Sequence, residues 1–481
     1  MDIYTSITLI RSELEMTSIE TKTDFYDTFF EMESNENLFS KKINGIPIWD
    51  SIRHKVGSRL TRKYGFSKEA HDTNWQSRSY SNTGVSIAKS LTSHNPLFSS
   101  NKDLLVVGTS RRKLVDGEWT DIHLDYFLED IDQEYVYLDR PYQLTHFRPA
   151  RTENITYTDI IEYPAGVLRK LGKQYYSVKS SYSDIGTEIN DKISAYFDHK
   201  IAINDLIYDE IMLDRVLKKM YKYILNKVDP DAVLLTVGYD TRRLLIRACD
   251  ELSIPVIEYQ HGVISSHHLG YSYPKKVQNI TFPDYLFTWG EFWSESFKSP
   301  ISEDRILPVG YPHYEYRTAK FDKNMMGSGT LFISQGTIGK ELSKFAVKYA
   351  QKNPDEEVIY KLHPGEYERW RSEYPWLVGS NMSVIEDDSK SLCEFFEQCA
   401  IQVGVNSTAL FEGFGFNLST YIFKTGGWEL MDQIIRRGYA DLVDDPDSIV
   451  TREDAANIST TEFFTQGSHE NFEEYLNKII S

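Results

Sequence analysis

The chain repeats one rhythm, and it does so in two series. A short apolar run ends in polar residues, a helical pattern follows, and another apolar run begins. The first series opens at DLLVVGTS (103–110) and continues through EYVYLD, DAVLLTVGYD, IPVIEYQHG, PDYLFTWG and RILPVGYPH. The second runs from TLFISQG through EVIYKLHP, MSVIED, IQVGV and STYIF, separated by helical GKELSKFAVKYAQKN, SLCEFFEQCA and STALFEGFG. Strands that alternate with helices pair in parallel within a doubly wound sheet. Two series imply two such sheets, and 481 residues exceed what one core ordinarily organises. The expected fold is therefore α/β, with two Rossmann-like domains facing a cleft.

The remaining segments fill in around those series. Residues 1–65 read as a small N-terminal accessory module and 66–102 as a Ser/Asn-rich linker. Residues 103–318 form the first Rossmann-like domain and 326–450 the second, while 451–481 close the chain with helices expected to pack back on the first domain. A long helical pattern runs from about Asp184 to Asn226, and a Tyr-rich stretch around 150–185 interrupts the first series.

Charge narrows the function. Against 53 basic residues stand 71 acidic ones, a net −18, which argues against a broad nucleic-acid surface but leaves room for a local cationic pocket. Cys249, Cys393 and Cys399 show no metal-ligand spacing and read as buried thiols of a reducing compartment. No apolar run is long enough to span a membrane, and MDIYTSITLIRSELEM is too interrupted by charge for a signal peptide. A cytoplasmic protein is expected, with the inner face of the cell membrane as a place where it could work.

The chemistry collects where strands run out, because the carboxyl ends of parallel strands are where α/β proteins hold ligands. In KLHP, Lys361 offers a charge and His363 an N–H, while Pro364 fits the first turn of a following helix whose backbone N–H groups can meet an anion. In VGVNSTALFEG, Ser407 and Thr408 open a helix with hydroxyls and free N–H groups, and Glu412 lies one turn on. Gln335 and Gly336 end the first strand of the second series, where a glycine permits close approach of a phosphate. In the first series, Gln260, His261 and Gly262 follow IPVIEY, and Asp240 follows LLTVGY, where it could equally cap a helix from Thr241. The stretch SRRKLVDGEWTDIHLDY carries Arg111, Arg112, Asp116, Glu118, Asp121 and His123, so a general base could stand there too. Each of these residues alone has a plainer reading as a turn cap or a solvated charge. Together they make several phosphate-competent strand ends.

Other chemistries lack their motifs. The DxD triplets at Asp130/Asp132, Asp229/Asp231 and Asp445/Asp447 read as solvated turns, so no metal site is expected. GSG at 327–329 precedes its strand, which rules it out as a dinucleotide fingerprint, and HExxH, GxSxG and GxxxxGK[ST] are absent.

The set EYQHG, WGE…ILPVGYPHYE, KLHP and NSTALFEGF, over about residues 230–425, resembles GT-B-fold glycosyltransferases of surface-polysaccharide assembly. The likeness is to capsule-type and sialyltransferase-like enzymes with His-Pro and Ser/Thr motifs, and to CDP-glycerol glycerophosphotransferases. It implies that His363, Ser407 and Thr408 hold a nucleotide phosphate and that Glu412 holds the ribose. The resemblance departs after the motif helix, where FNLSTY stands in place of a Gly-x-Pro turn. Retaining relatives carry a second glutamate eight positions after the first, and here that position is Thr420. An inverting, metal-independent transfer is implied, from a nucleotide sugar (a CMP sugar first) to a cell-surface glycan or lipid-linked acceptor, such as those of capsule or protein glycosylation. The nucleotide sugar is a co-substrate and no cofactor is called for. His261 is the first choice of base, followed by Glu118 and Asp121. The alternatives are a CDP-polyol phosphotransferase of teichoic-acid type, a nucleotide-sugar 2-epimerase and a non-catalytic glycan-binding protein.

Overall fold

A computed structural model describes residues 19–66, 80–142, 144–176, 183–274, 277–321, 327–452, 455 and 458–481. The first series folds into seven parallel strands: β1 (Leu104–Val107), β2 (Tyr135–Asp139), β3 (Ile155–Tyr157), β4 (Ala232–Leu235), β5 (Val256–Tyr259), β6 (Tyr285–Thr288) and β7 (Ile306–Pro308). Their spatial order is β7-β6-β5-β4-β1-β2-β3. The second series gives β8 (Gly329–Ile333), β9 (Val358–Lys361), β10 (Ser383–Ile385), β11 (Cys399–Gly404), β12 (Ser419–Phe423) and β13 (Asp441–Val443), also all parallel. That sheet runs β10-β9-β8-β11-β12-β13. Numbered within its own series, the second sheet reads 3-2-1-4-5-6 and the first reads the same with a seventh strand added at the far edge, the doubly wound order that places a crevice where the winding reverses. In the first sheet the reversal lies between β1 and β4, and in the second between β8 and β11. The side chains of β1 and β4 are all buried, as a sheet covered by helices on both faces demands.

Residues 19–66 are built into the first domain. Helix α1 (Lys22–Asn35) starts at a capping box in which Thr21 Oγ accepts from Asp24 N–H and Asp24 accepts from Thr21 N–H. It packs with α2 (Ile48–Lys63), α3 (Ser183–Phe197) and α4 (Ile203–Leu213) around Phe25, Phe29, Trp49, Ile52, Ile193 and Ile207. Inside this cluster the Arg53 guanidinium grips Glu33 through two nitrogens, at 2.7 and 2.8 Å, and donates to the carbonyl of Ser272 at 3.1 Å. The accessory helices are thereby tied to the loop that follows β5.

Three elements differ from the sequence expectation. The stretch read as a linker contains a helix, Tyr80–Leu91, whose Ser86 and Ser90 are buried and hydrogen-bonded to Asp159 and Tyr157. The Tyr-rich interruption hides β3 and the helix Asp159–Tyr176. The long helical pattern from Asp184 breaks after Phe197, where Asp198 takes a left-handed φ of 47°. It resumes at α4 and runs on through a π-helical stretch, Asp214–Lys218, to Val228.

One apolar core spans both domains, from Leu104 and Tyr259 through Trp293 to Leu331 and Phe411. Helix α5 (Pro312–Thr318) leaves the first domain and carries Arg317 to Glu412 on α6 (Thr408–Phe414), at 3.0 Å. The chain then returns: in the last helix, α7 (Ser468–Ile480), Phe472 stacks on Phe127 of the first domain with ring centroids 4.2 Å apart. Two glycines make room for this return. A β-carbon on Gly290 would sit 2.3 Å from the Glu462 carbonyl, and one on Gly310, at φ +103°, 2.4 Å from that of Thr465. Among the described residues no helix is long and apolar enough to cross a membrane, and Cys249, Cys393 and Cys399 are buried and form no disulfide.

Candidate functional site

The carboxyl ends of the two sheets face each other, the GT-B arrangement. After β1, Arg111 lies within electrostatic reach of His363, and Lys113 within reach of Glu412 and Asp388. On the second side, β9, β8 and β11 are neighbours in the sheet. Their ends carry His363, Gln335–Gly336 and Asn406–Ser407 across about 10 Å, two strand spacings.

His363 is held in one tautomer by its own turn. It caps the short 3-10 helix Pro364–Glu366, its Nδ1 accepting from Gly365 N–H at 3.1 Å, while its backbone N–H donates to Glu366 at 2.8 Å. Partial burial of the ring and the nearby Arg111 and Arg369 hold it below its ordinary range, while Glu366 opposes them. A neutral ring whose Nδ1 accepts carries its proton on Nε2. Among the described residues Nε2–H has no partner, and the residue is exposed. The cap and the unpartnered N–H are therefore two different edges of one imidazole, and Pro364 takes the first helical position as expected.

Lys361 departs from its expected role. Only 9% exposed, its ammonium donates to Tyr367 Oη at 2.6 Å, to the carbonyl of Asp387 at 2.5 Å and to Asp388 at 3.1 Å. An ammonium has three hydrogens, so none remains for a phosphate. Gln335 is likewise engaged: its amide donates to Asn406 Oδ1 and accepts from Asn406 N–H, latching the β8 and β11 ends across the reversal point. A β-carbon on Gly336 would meet only ordinary contacts, with Arg369 and His363 at 3.5 and 3.8 Å.

Ser407 caps α6 by accepting from Ala409 N–H at 3.3 Å, and the Thr408 hydroxyl opens the same turn. Glu412 is 7% exposed and gives one carboxylate oxygen to Arg317. Its availability to a ribose is thus tied to the interdomain pair. Thr420 is a buried strand residue that accepts from Gln402.

On the first side, two proposed bases separate from the third. Asp121 is fully buried, accepting from Thr109 N–H, His123 N–H and the Tyr137 hydroxyl. It clamps the loop after β1, so no acceptor hydroxyl reaches it. Glu118 sits exposed on a two-stranded hairpin, Lys113–Val115 with Glu118–Thr120. Gln260, fully buried, spends its amide on the Gly262 carbonyl and the Trp289 N–H. Gly262 has open space around it, and Asp240 is exposed on the loop after β4.

His261 is the residue that the strand ends bring into a cluster. Its Nδ1 lies 3.1 Å from the Tyr271 hydroxyl and its Nε2 3.3 Å from that of Tyr239. His123 approaches edge-on at 6.5 Å between ring centroids. Burial, with His123, His268 and Arg242 nearby, pushes the ring well below its ordinary range, so the imidazole is neutral. Burial likewise lowers His123 and His54 to about 4 and His268 to about 3. Sequence reasoning missed Tyr239, Tyr271 and Glu258. The only signal for Glu258 was an acid inside the otherwise apolar strand IPVIEY.

No protein-family model matches the chain, and no curated protein matches it in sequence. Solved structures of similar outline exist. UDP-GlcNAc 2-epimerase from Methanocaldococcus jannaschii, in complex with UDP-GlcNAc and UDP, aligns at a TM-score of 0.44 with 12% identity, over 78% of this chain and 99% of its own. UDP-GlcNAc 2-epimerase from Neisseria meningitidis bound to UDP-GlcNAc aligns at 0.43 with 14% identity, over 78% and 99%. MurG from Acinetobacter baumannii aligns at 0.40 with 10% identity, over 78% and 98%.

Proposed function

We propose that this chain is a nucleotide-sugar-dependent glycosyltransferase that acts by direct displacement with inversion. The observation that carries the reading is the His363 turn, which presents Nε2–H outward at the carboxyl end of the second sheet. That N–H, with the Ser407 and Thr408 hydroxyls about 10 Å away across the sheet end, suits the phosphates of a departing nucleotide. A hydrogen bond to a charged group contributes about 1.5–3 kcal/mol. Arg111, reaching from the first domain towards His363, adds charge that the committed Lys361 does not.

On the opposite side, His261 is the general base. As a neutral imidazole it takes up the acceptor hydroxyl's proton through the Tyr239 hydroxyl on its Nε2 while the oxygen attacks the anomeric carbon and the phosphate leaves with the bonding electrons. Glu118 is the second choice and Asp121 is withdrawn. The acceptor is a surface glycan or a lipid-linked sugar, and this reading allows the enzyme to work at a membrane face. The donor base is left open: the CMP sugar suggested by the family resemblance has no counterpart in the similar structures, two of which are described with UDP-GlcNAc.

The test begins with thermal shift against UDP-, CMP-, GDP- and dTDP-sugars, followed by turnover with glycan acceptors. The anomeric coupling of the first product, read by proton NMR, must show inversion. A product that keeps the donor's anomeric configuration refutes the mechanism. Interconversion of the nucleotide sugar without acceptor makes the chain a 2-epimerase, and release of CMP with a phosphodiester product makes it a polyol phosphotransferase.

A further inference from the structure

The base assigned above is flanked by two tyrosines, and both lead back to one buried carboxylate. Glu258, on β5, is 1% exposed and lies beneath the loop that follows β4. One of its oxygens accepts from the Tyr271 hydroxyl at 2.6 Å. The backbone N–H groups of Gly238 and Val237 lie near enough to the same carboxylate to stabilise its charge. A β-carbon on Gly238 would stand 2.5 Å from Glu258 Oε2, so the loop presses against the acid. Val237 takes φ +61°, a conformation that costs a β-branched residue strain and persists only where surrounding contacts fix it. That fixed turn delivers Tyr239, whose hydroxyl meets His261 Nε2.

We propose that Glu258 is the positioning residue of this site: through Tyr271 it sets the tautomer of His261, and through the Val237–Gly238 turn it places Tyr239 on the imidazole's reactive edge. The inference rests on His261 being the base. Its logic is a proton count. Burial raises the Glu258 carboxyl to about 7, so above that pH it is ionised and can only accept. A tyrosine hydroxyl has one hydrogen, and Tyr271 then gives it to Glu258 over a short, charge-assisted bond. Towards His261, Tyr271 can then only accept, so Nδ1 carries the proton and Nε2 is bare. Tyr239 donates to that bare nitrogen. In the transfer, the acceptor hydroxyl gives its proton to the Tyr239 oxygen as Tyr239 passes its own to Nε2. The new imidazolium is balanced by Glu258 through Tyr271, and the C–O bond to the leaving phosphate breaks with its electron pair on the phosphate. Neither Glu258 nor Tyr271 touches substrate.

The substitution Glu258→Gln tests this in the full chain. The glutamine oxygen can still face the Val237 and Gly238 N–H groups, and its amide then donates to Tyr271. The Tyr271 hydrogen is freed to turn towards Nδ1, which reverses the tautomer. In protein labelled with 15N-histidine, the His261 ring nitrogens, assigned by difference from His261→Gln, should exchange their protonated and bare shifts. Turnover should fall by roughly 10²–10⁴, as when other catalytic imidazoles are held in the wrong tautomer, with nucleotide binding kept. The limb of the pH–rate profile due to His261, which faces Tyr239, Tyr271, His123, His268, Arg242 and, through Tyr271, Glu258, should move as well. Tyr271→Phe should leave the two tautomers mixed, and it serves if the first variant does not fold. Unchanged ring shifts in either folded variant overturn the relay whatever the activity. Full turnover in His261→Gln overturns instead the assignment of the base, since the tautomer is read without substrate.

Discussion

Two substitutions at His363 separate its two edges. Asparagine places its Oδ1 where Nδ1 stands, so His363→Asn keeps the acceptor for Gly365 N–H, now 3.1 Å away, but has nothing at the ε position. Glutamine does the reverse: His363→Gln reaches the Nε2 position with an N–H and loses the cap. Losing an exposed cap costs about 1 kcal/mol of stability. Losing a hydrogen bond to a phosphate costs about 1.5–3 kcal/mol of binding, or roughly 10- to 150-fold in Kd. Asn should therefore melt like the parent and bind nucleotide weakly, whereas Gln should melt lower and bind more tightly than Asn. Calorimetric titration with the best nucleotide from the thermal-shift panel, alongside thermal unfolding, reads both quantities. The reasoning fails if Asn binds as tightly as the parent, or if affinity follows melting temperature across the pair.

Lys361→Met should lower stability by about 2 kcal/mol, because it strips the buried donor from Asp387, Asp388 and Tyr367, yet leave nucleotide affinity unchanged in the same titration. His313 is 3% exposed beside Tyr126, and burial with Arg317, Lys113, His123 and Arg151 nearby lowers it to about 2. Its folded value lies below its unfolded one, so its share of stability is present above pH 6.5 and is lost on acidification; the margin of the parent over His313→Gln should shrink by about 1.4 kcal/mol per pH unit between pH 6.5 and 4 in denaturant titrations. Phe472→Ala removes the ring stacked on Phe127 and should cost about 3–5 kcal/mol by the same assay.

The strand-and-helix rhythm was readable because parallel strands are buried on both faces, so Leu104–Val107 and Ala232–Leu235 stand out as continuous apolar runs. β3 escaped because its three residues, Ile155–Tyr157, are too short to show a pattern inside a tyrosine-rich stretch. The helix Tyr80–Leu91 escaped because its serines serve as buried hydrogen-bonding residues in the fold and read as linker in the sequence. At the site, residue type and strand end were legible, but side-chain commitment was not. Lys361 and His363 are two residues apart, and nothing in KLHP tells that the first turns to Asp388 while the second keeps a donor exposed. Asp121 and His261 look alike in the sequence as polar residues of loops, and only the fold shows that Asp121 is spent on Thr109, His123 and Tyr137. Glu258 was the least legible, since its partners Val237, Gly238 and Tyr271 come from elsewhere in the chain.

The return of the chain onto its own first domain has a mechanical consequence. A two-domain protein joined by a single linker can swing and twist freely about that point. Here the backbone passes between domains twice, once beyond α5 and again between Val450, whose carbonyl accepts from Tyr421, and Thr465, whose N–H donates to Trp289. Two attachment points define a line, as two pins define the axis of a door. Two such connections, with the apolar core that spans both domains, limit how far the two halves of the cleft can twist against each other. The sheet end that carries His261 and the one that carries His363 are held together by two passages of the chain and not by one.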